Sequence, residues 1–240
     1  MAQSPDIYFF LRAGIGLAIA RELLKQQCRL VVTARSAAAL EQLRAEAPER
    51  VQVLAGDMTD MTLGARAVEL ATSQWGALDG LVVNHGTLDP IARIADADVE
   101  DWRRAYDVNV LSAVALVKAA LPALRASKGR IVLTSSGAAI TAYSSWGCYG
   151  AGKAAINHLA LTLAAEEPEV TSVAIRPGTV DTEMQRDIRE KHSTFMDAKD
   201  VEKFGALPTN GGLLRPDQPG NVIARLAMDA PKELSGQFLS

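Results

Sequence analysis

A chain of 240 residues is long enough to bury a full core, and 48% apolar with 22% charged residues is the balance of a soluble globular protein. A formal charge of −3 offers no basic surface, so neither nucleic acid nor an anionic membrane is expected as a partner. The two cysteines, Cys28 and Cys148, have no ligand-like spacing, which argues against a metal site and against a disulfide framework. No apolar run is expected to span a bilayer and no secretory leader is read at the start, so a cytoplasmic location is expected.

Strand-like and helix-like runs alternate along the chain. Residues 7–11 form a short apolar run, and 15–26 follow with Leu17, Ala20, Leu23 and Leu24 on a helical period. Residues 29–33 are β-rich, 37–47 are rich in Ala, Leu and Glu and stop before Pro48, 51–54 read as a strand and 63–74 as a helix. Residues 81–83 are a strand, and 99–126 a long helical stretch in which Pro122 predicts a kink or break. Residues 131–133 are a strand, 149–166 a helix closed by Pro168, and 171–175 a strand ending at Pro177-Gly178. Such alternation predicts an α/β fold, a single doubly wound Rossmann-like domain over 1–240 whose mostly parallel sheet is covered by helices on both faces. The segment 180–216 is charged and weakly periodic, with Met184, Ile188, Phe195, Met196 and Phe204 scattered along it. It reads either as a substrate lid or as a plain surface excursion.

Several positions carry chemistry. Tyr149 and Lys153 are four apart, one turn along a helix face, where an ammonium favours a nearby phenolate. Ser136 closes the preceding strand, where a hydroxyl can enter a cleft at the carboxyl edge of the sheet. Together they supply an acid, an electrostatic tuner and a hydrogen-bond donor for a carbonyl. A Tyr and a Lys at this spacing also occur on many inert helix surfaces, so the rest of the chain must decide. Gly14-Ile15-Gly16 opens the first helix, where backbone amides can face a pyrophosphate. A dinucleotide loop has another glycine about four residues earlier, but Phe10 stands there, so the pattern predicts a few more residues beside Leu11–Ala13, one of them glycine, or else a loop that has lost its nucleotide. Arg35, with no acid at 33–36, suits a ribose 2′-phosphate or is simply a solvated side chain. Asp57 can accept from an adenine amino group or cap a helix. In Asn84-His85-Gly86 the glycine allows close backbone approach; His85 shows no partner and a loop histidine is usually not catalytic. Asn109 sets an amide within an apolar helix, where it must be hydrogen-bonded.

Taken together, Gly14-Ile15-Gly16, Asp57, Asn84-His85-Gly86, Asn109, Ser136, Tyr149-x-x-x-Lys153 and Pro177-Gly178-Thr179-Val180-Asp181-Thr182 resemble the short-chain dehydrogenase/reductase family over essentially the whole chain. The text around 144–149 and 180–184 is most similar to the benzil-reductase-like and sepiapterin-reductase-like subgroup, often found in fungi. The resemblance implies that Tyr149 protonates the nascent alkoxide, Lys153 binds the nicotinamide ribose and tunes Tyr149, Ser136 holds the carbonyl oxygen, and Asn109 anchors a relay water. It also implies that Gly14, Ile15, Gly16, Arg35, Asp57, Asn84, Gly86, Tyr149, Lys153, Pro177, Gly178, Val180 and Thr182 contact the cofactor. The expected activity is NADPH-dependent reduction of a small ketone or diketone, aromatic ones included. A silent nucleotide-sensing or scaffold protein and an NAD-linked alcohol dehydrogenase are the alternatives. The family also implies a homodimer or homotetramer, and the apolar circumference of 110–121 and 156–163 supports a covered second helix face.

Overall fold

The hydrophobic runs fold into a parallel sheet in the computed structural model, which describes residues 6–10 and 14–240. The strands are β1 (Asp6–Phe10), β2 (Arg29–Ala34), β3 (Val51–Ala55), β4 (Gly80–Val83), β5 (Arg130–Thr134), β6 (Thr171–Ile175) and β7 (Phe238–Leu239). Their order across the sheet is β3-β2-β1-β4-β5-β6-β7, and every pair is parallel. The order reverses direction between β1 and β4, the switch point at which open α/β sheets bind ligands.

Period-2 alternation sends successive residues to opposite faces, and both faces are buried. Leu81, Val83, Ile131, Leu133 and Ala174 pack beneath α3 (Leu63–Trp75), α5 (Ser112–Ser127) and α6 (Gly147–Glu166). Leu30, Val32, Val82, Val132, Val173 and Ile175 pack beneath α1 (Ile15–Lys25), α2 (Ala37–Glu46) and α9 (Asp217–Asp229). The boundaries follow local chemistry. The Ser36 Oγ accepts from the Ala39 amide at 3.3 Å and starts α2. Gly76, at φ 79°, ends α3 in the left-handed conformation.

Three expectations change. Pro122 neither breaks nor ends α5. It is exposed, as is Lys118 one turn earlier, so water can satisfy the carbonyl that the ring leaves without a donor. The stretch Val99–Ser127, made of α4 (Val99–Tyr106), a π turn at Asp107–Leu111 and α5, is long and apolar enough to cross a membrane by length and composition. Its Ala113, Leu116, Val117, Ala120 and Leu124 are buried in the core beside the sheet, which accounts for much of that apolarity. The segment 180–216 is more ordered than its weak periodicity suggests, with α7 (Glu183–Glu190) and α8 (Ala198–Ala206) inside it. The expected extra residues beside Leu11–Ala13 fall on 11–13, outside the described residues.

Candidate active site

At the carboxyl edge of β4, β5 and β6 lies a cavity of about 540 Å³. Ser136, Tyr149 and Lys153 line it together with Ile15, Asn84, Gly86, Pro177, Gly178, Val180 and Thr182. Ten sequence-predicted positions thus converge on one space. Gly14, Gly16, Arg35, Asp57 and Asn109 do not line it.

The convergence has local causes. Ser136 follows β5 in extended backbone, and its Oγ accepts from the Ala138 amide at 3.2 Å, which starts a short 3-10 turn. Tyr149 and Lys153 share one face of α6, and the Lys153 Nζ lies 5.8 Å from the Tyr149 ring centre. Lys153 donates from Nζ to the Thr134 carbonyl at 2.7 Å, so its ammonium is pinned to the end of β5. Burial holds its pKa down to about 8.

Asn109 sits inside the π turn between α4 and α5. Its Nδ2 donates to the Thr87 carbonyl at 2.9 Å and its Oδ1 accepts from the Thr87 amide at 2.8 Å. The amide required to find partners in the core does so on the loop after β4, and the extra residue of a π turn is what turns it that way. Gly86 lies against both groups. A Cβ there would stand 3.1 Å from the Asn109 Oδ1 and 3.4 Å from the Lys153 Nζ. Glycine suits this position because a side chain would make both groups give by a few tenths of an ångström.

At the opposite end of the cavity mouth, Gly14 precedes α1 with φ 84°, and a Cβ there would meet the Thr182 Cγ2 at 3.0 Å. The N-terminus of α1 therefore faces the start of α7, where the Thr182 Oγ1 accepts from the Gln185 amide at 3.4 Å. Arg35 is exposed after β2. Asp57 accepts at Oδ1 from the Thr59 amide and hydroxyl, both at 2.9 Å. Those bonds, from the amide first, hold its carboxyl below the usual range, with a smaller contribution from the Arg35 charge.

Sequence reading missed the opposite wall. Trp146 stacks on Phe204 with ring centres 5.1 Å apart, and Tyr143 lies 4.9 Å from Trp146 and 5.5 Å from Phe204. Leu88, Met184, Ile188 and Leu214 complete an apolar wall, and Arg176 is a cation on the same lining. The candidate lid is fastened to this wall. The Asp197 amide donates to the Ser144 Oγ at 2.7 Å, the Ser145 hydroxyl donates to the Phe195 carbonyl, and Arg93 pairs with Asp197. Of the lid's scattered apolar residues, Met196 and Phe204 are buried while Phe195 is exposed. His85, set aside in the sequence, is buried with its Nε2 2.7 Å from the Ser112 Oγ. Burial, and secondarily the Lys153 charge, lower its pKa to about 3. His192 approaches Asp89 at 3.4 Å. Among the described residues no cluster of His, Cys, Asp and Glu could hold a metal ion.

The chain as a whole is similar to known proteins. A family model described as short chain dehydrogenase matches residues 11–193. An uncharacterized oxidoreductase of Schizosaccharomyces pombe is 41% identical over 94% of this chain and 91% of its own length. A benzil reductase ((S)-benzoin forming) of Saccharomyces cerevisiae is 38% identical over 94% and 91% of the two chains. The crystal structure of a Saccharomyces cerevisiae short chain dehydrogenase/reductase superimposes with a TM-score of 0.95 at 37% identity, covering 98% of this chain and 95% of that one.

Proposed function

Because this chain belongs to the short-chain dehydrogenase/reductase family and is an oxidoreductase, we propose that it is an NADPH-dependent carbonyl reductase acting on aromatic ketones or diketones. The observation that carries the reading is one cavity with Ser136, Tyr149 and Lys153 at one end and Tyr143, Trp146 and Phe204 on its wall. A flat aromatic substituent suits that wall, since offset and edge-on ring contacts add to apolar burial. The relative's activity on benzil agrees with the shape and chemistry of this cavity.

A nicotinamide dinucleotide fits the residues present. The amides at Gly14–Gly16, at the helix N-terminus, would hold the diphosphate, Gly86 leaves backbone open beside Lys153, and Pro177, Gly178, Val180 and Thr182 would hold the nicotinamide. When bound, that cofactor supplies the hydride. The chain's own residues do the rest. Ser136 donates to the substrate oxygen and fixes its direction. Tyr149 holds the proton that this oxygen receives as it becomes an alcohol. Lys153, kept in place by Thr134, sets a positive charge beside the phenol and favours release of that proton. The segment 180–216 serves as the lid, excluding water through Met184, Ile188 and Phe204. An intact Ser136, Tyr149 and Lys153 speaks against a silent scaffold.

The reading is tested by following NADPH consumption with benzil and with aliphatic ketones; no turnover on any of them overturns it. Cofactor choice is tested at Arg35. A guanidinium meets a 2′-phosphate through charge-assisted bonds worth about 1.5–3 kcal/mol each, so Arg35→Ala is expected to weaken NADPH at least about tenfold more than NADH. Equal weakening of both leaves the cofactor preference without support.

Assembly follows from uncovered apolar surface. Leu111, at the end of the π turn, and Val114 on α5 are 49% and 42% exposed, and Leu161 on α6 is 54% exposed. A second copy covering both helices yields a homodimer or a tetramer built from it. Light scattering at micromolar protein is expected to give the dimer mass or a multiple; a monomer is the opposing result.

A further inference from the structure

We propose that His85 is a positioning residue, whose imidazole clamps the loop after β4 to the π turn and thereby sets Asn109 and Lys153 against each other. The inference rests on the carbonyl-reductase reading for its kinetic consequence and on geometry for the clamp itself.

Ser112 is the first residue after the π turn, and its hydroxyl donates to the Val108 carbonyl at 2.6 Å. A hydroxyl has one proton. With that proton on Val108, the Ser112 Oγ accepts from the His85 Nε2–H across the 2.7 Å contact, and the same ring also hydrogen-bonds the Val108 backbone. The chain His85–Ser112–Val108 therefore spans the turn that carries Asn109. One residue along the loop is Gly86, which lies against the Asn109 Oδ1 and the Lys153 Nζ. Two residues along is Thr87, which holds the Asn109 amide at 2.8 and 2.9 Å. Loop and turn are thus stitched twice, once on each side of the glycine that faces the ammonium. Without the His85 stitch, the π turn can relax toward the ordinary α pattern, which would rotate Asn109 away from Thr87. The neutral imidazole also adds no second charge beside Lys153, the cation that faces it from α6.

A small change in this spacing should alter chemistry more than binding, because orientation acts on the rate. His85→Leu is expected to lower kcat by about tenfold while NADPH affinity stays within about twofold. His85→Gln, which retains an N–H donor, should recover most of that loss. Ser112→Ala removes the hydroxyl link but leaves the ring's bond to the Val108 backbone, so it should reproduce part of the His85→Leu defect, with the double variant no worse than His85→Leu alone. The clamp is also read without turnover: amide exchange across residues 84–87 and 107–112 should accelerate in both His85→Leu and Ser112→Ala. If His85→Leu does not fold, Ser112→Ala carries both readouts. Unchanged kcat, a parallel loss of NADPH affinity, additive single variants, failure of glutamine to rescue, or unchanged exchange each overturns the proposal. Inactive wild-type protein with accelerated exchange in the variants would instead indict the reductase reading and leave the clamp standing.

Discussion

Replacing Tyr149 with phenylalanine is expected to cut turnover by at least about 10²-fold while leaving NADPH binding close to normal, the scale of a lost general acid. The substitution removes one oxygen and keeps the ring. That ring is buried, and Trp146 meets it edge-on with centres 6.2 Å apart, so the wall of the cavity and the packing of α6 survive. Melting temperature and cofactor titration should therefore match wild type, and the whole deficit should appear in kcat. A variant that retains turnover within about tenfold of wild type would remove Tyr149 from the reaction.

Lys153→Met is expected to be as damaging to turnover, again by at least about 10²-fold, and to change how stability depends on pH. The ammonium is buried, which lowers its pKa from 10.5 to about 8. The charged form is thus less favourable in the native than in the unfolded chain. Between pH about 8 and about 10.5 the unfolded state binds more protons than the native state at this position, so its contribution to stability rises with pH across that window. Below about 8 both states are protonated and the contribution is flat. The methionine variant lacks this rise, so the advantage of wild type over variant should grow from pH about 8 to about 10.5 in denaturant titrations. Reduction by the wild type should decline as pH rises through about 8, because the native ammonium beside Tyr149 is lost there. A pH-independent stability difference would count against a buried, cationic Lys153.

Much of this was readable from residue order. Strand and helix alternation reports burial of both sheet faces, and burial of that kind leaves periodic runs behind it. Tyr149 and Lys153 were legible because their contact is local, one turn of one helix. What escaped was non-local or irregular. Tyr143 and Trp146 meet Phe204 across the lid, and nothing near either partner marks that meeting. The His85–Ser112 contact joins residues 27 apart, through a turn whose extra residue has no periodic trace. Pro122 looked like a break because residue type was read without its exposure. The two-residue β7 is too short for any pattern, and it owes its existence to the free edge of β6. The lid helices were hidden because α7 and α8 carry few apolar residues, and Thr182, read only as a cofactor contact, caps the first of them.

The strand order has a consequence for biosynthesis. β2 joins β1 on one side and β3 extends that side; every later strand joins the other side in the order it leaves the ribosome. No strand has to be inserted between two that already pair, so the sheet can grow at its margins as translation proceeds. Each intermediate nevertheless carries an open margin until the next strand arrives, and such margins are where nascent chains adhere to one another. One such wait is long, because β5 is complete at Thr134 while its partner begins only at Thr171, after α6 has been made.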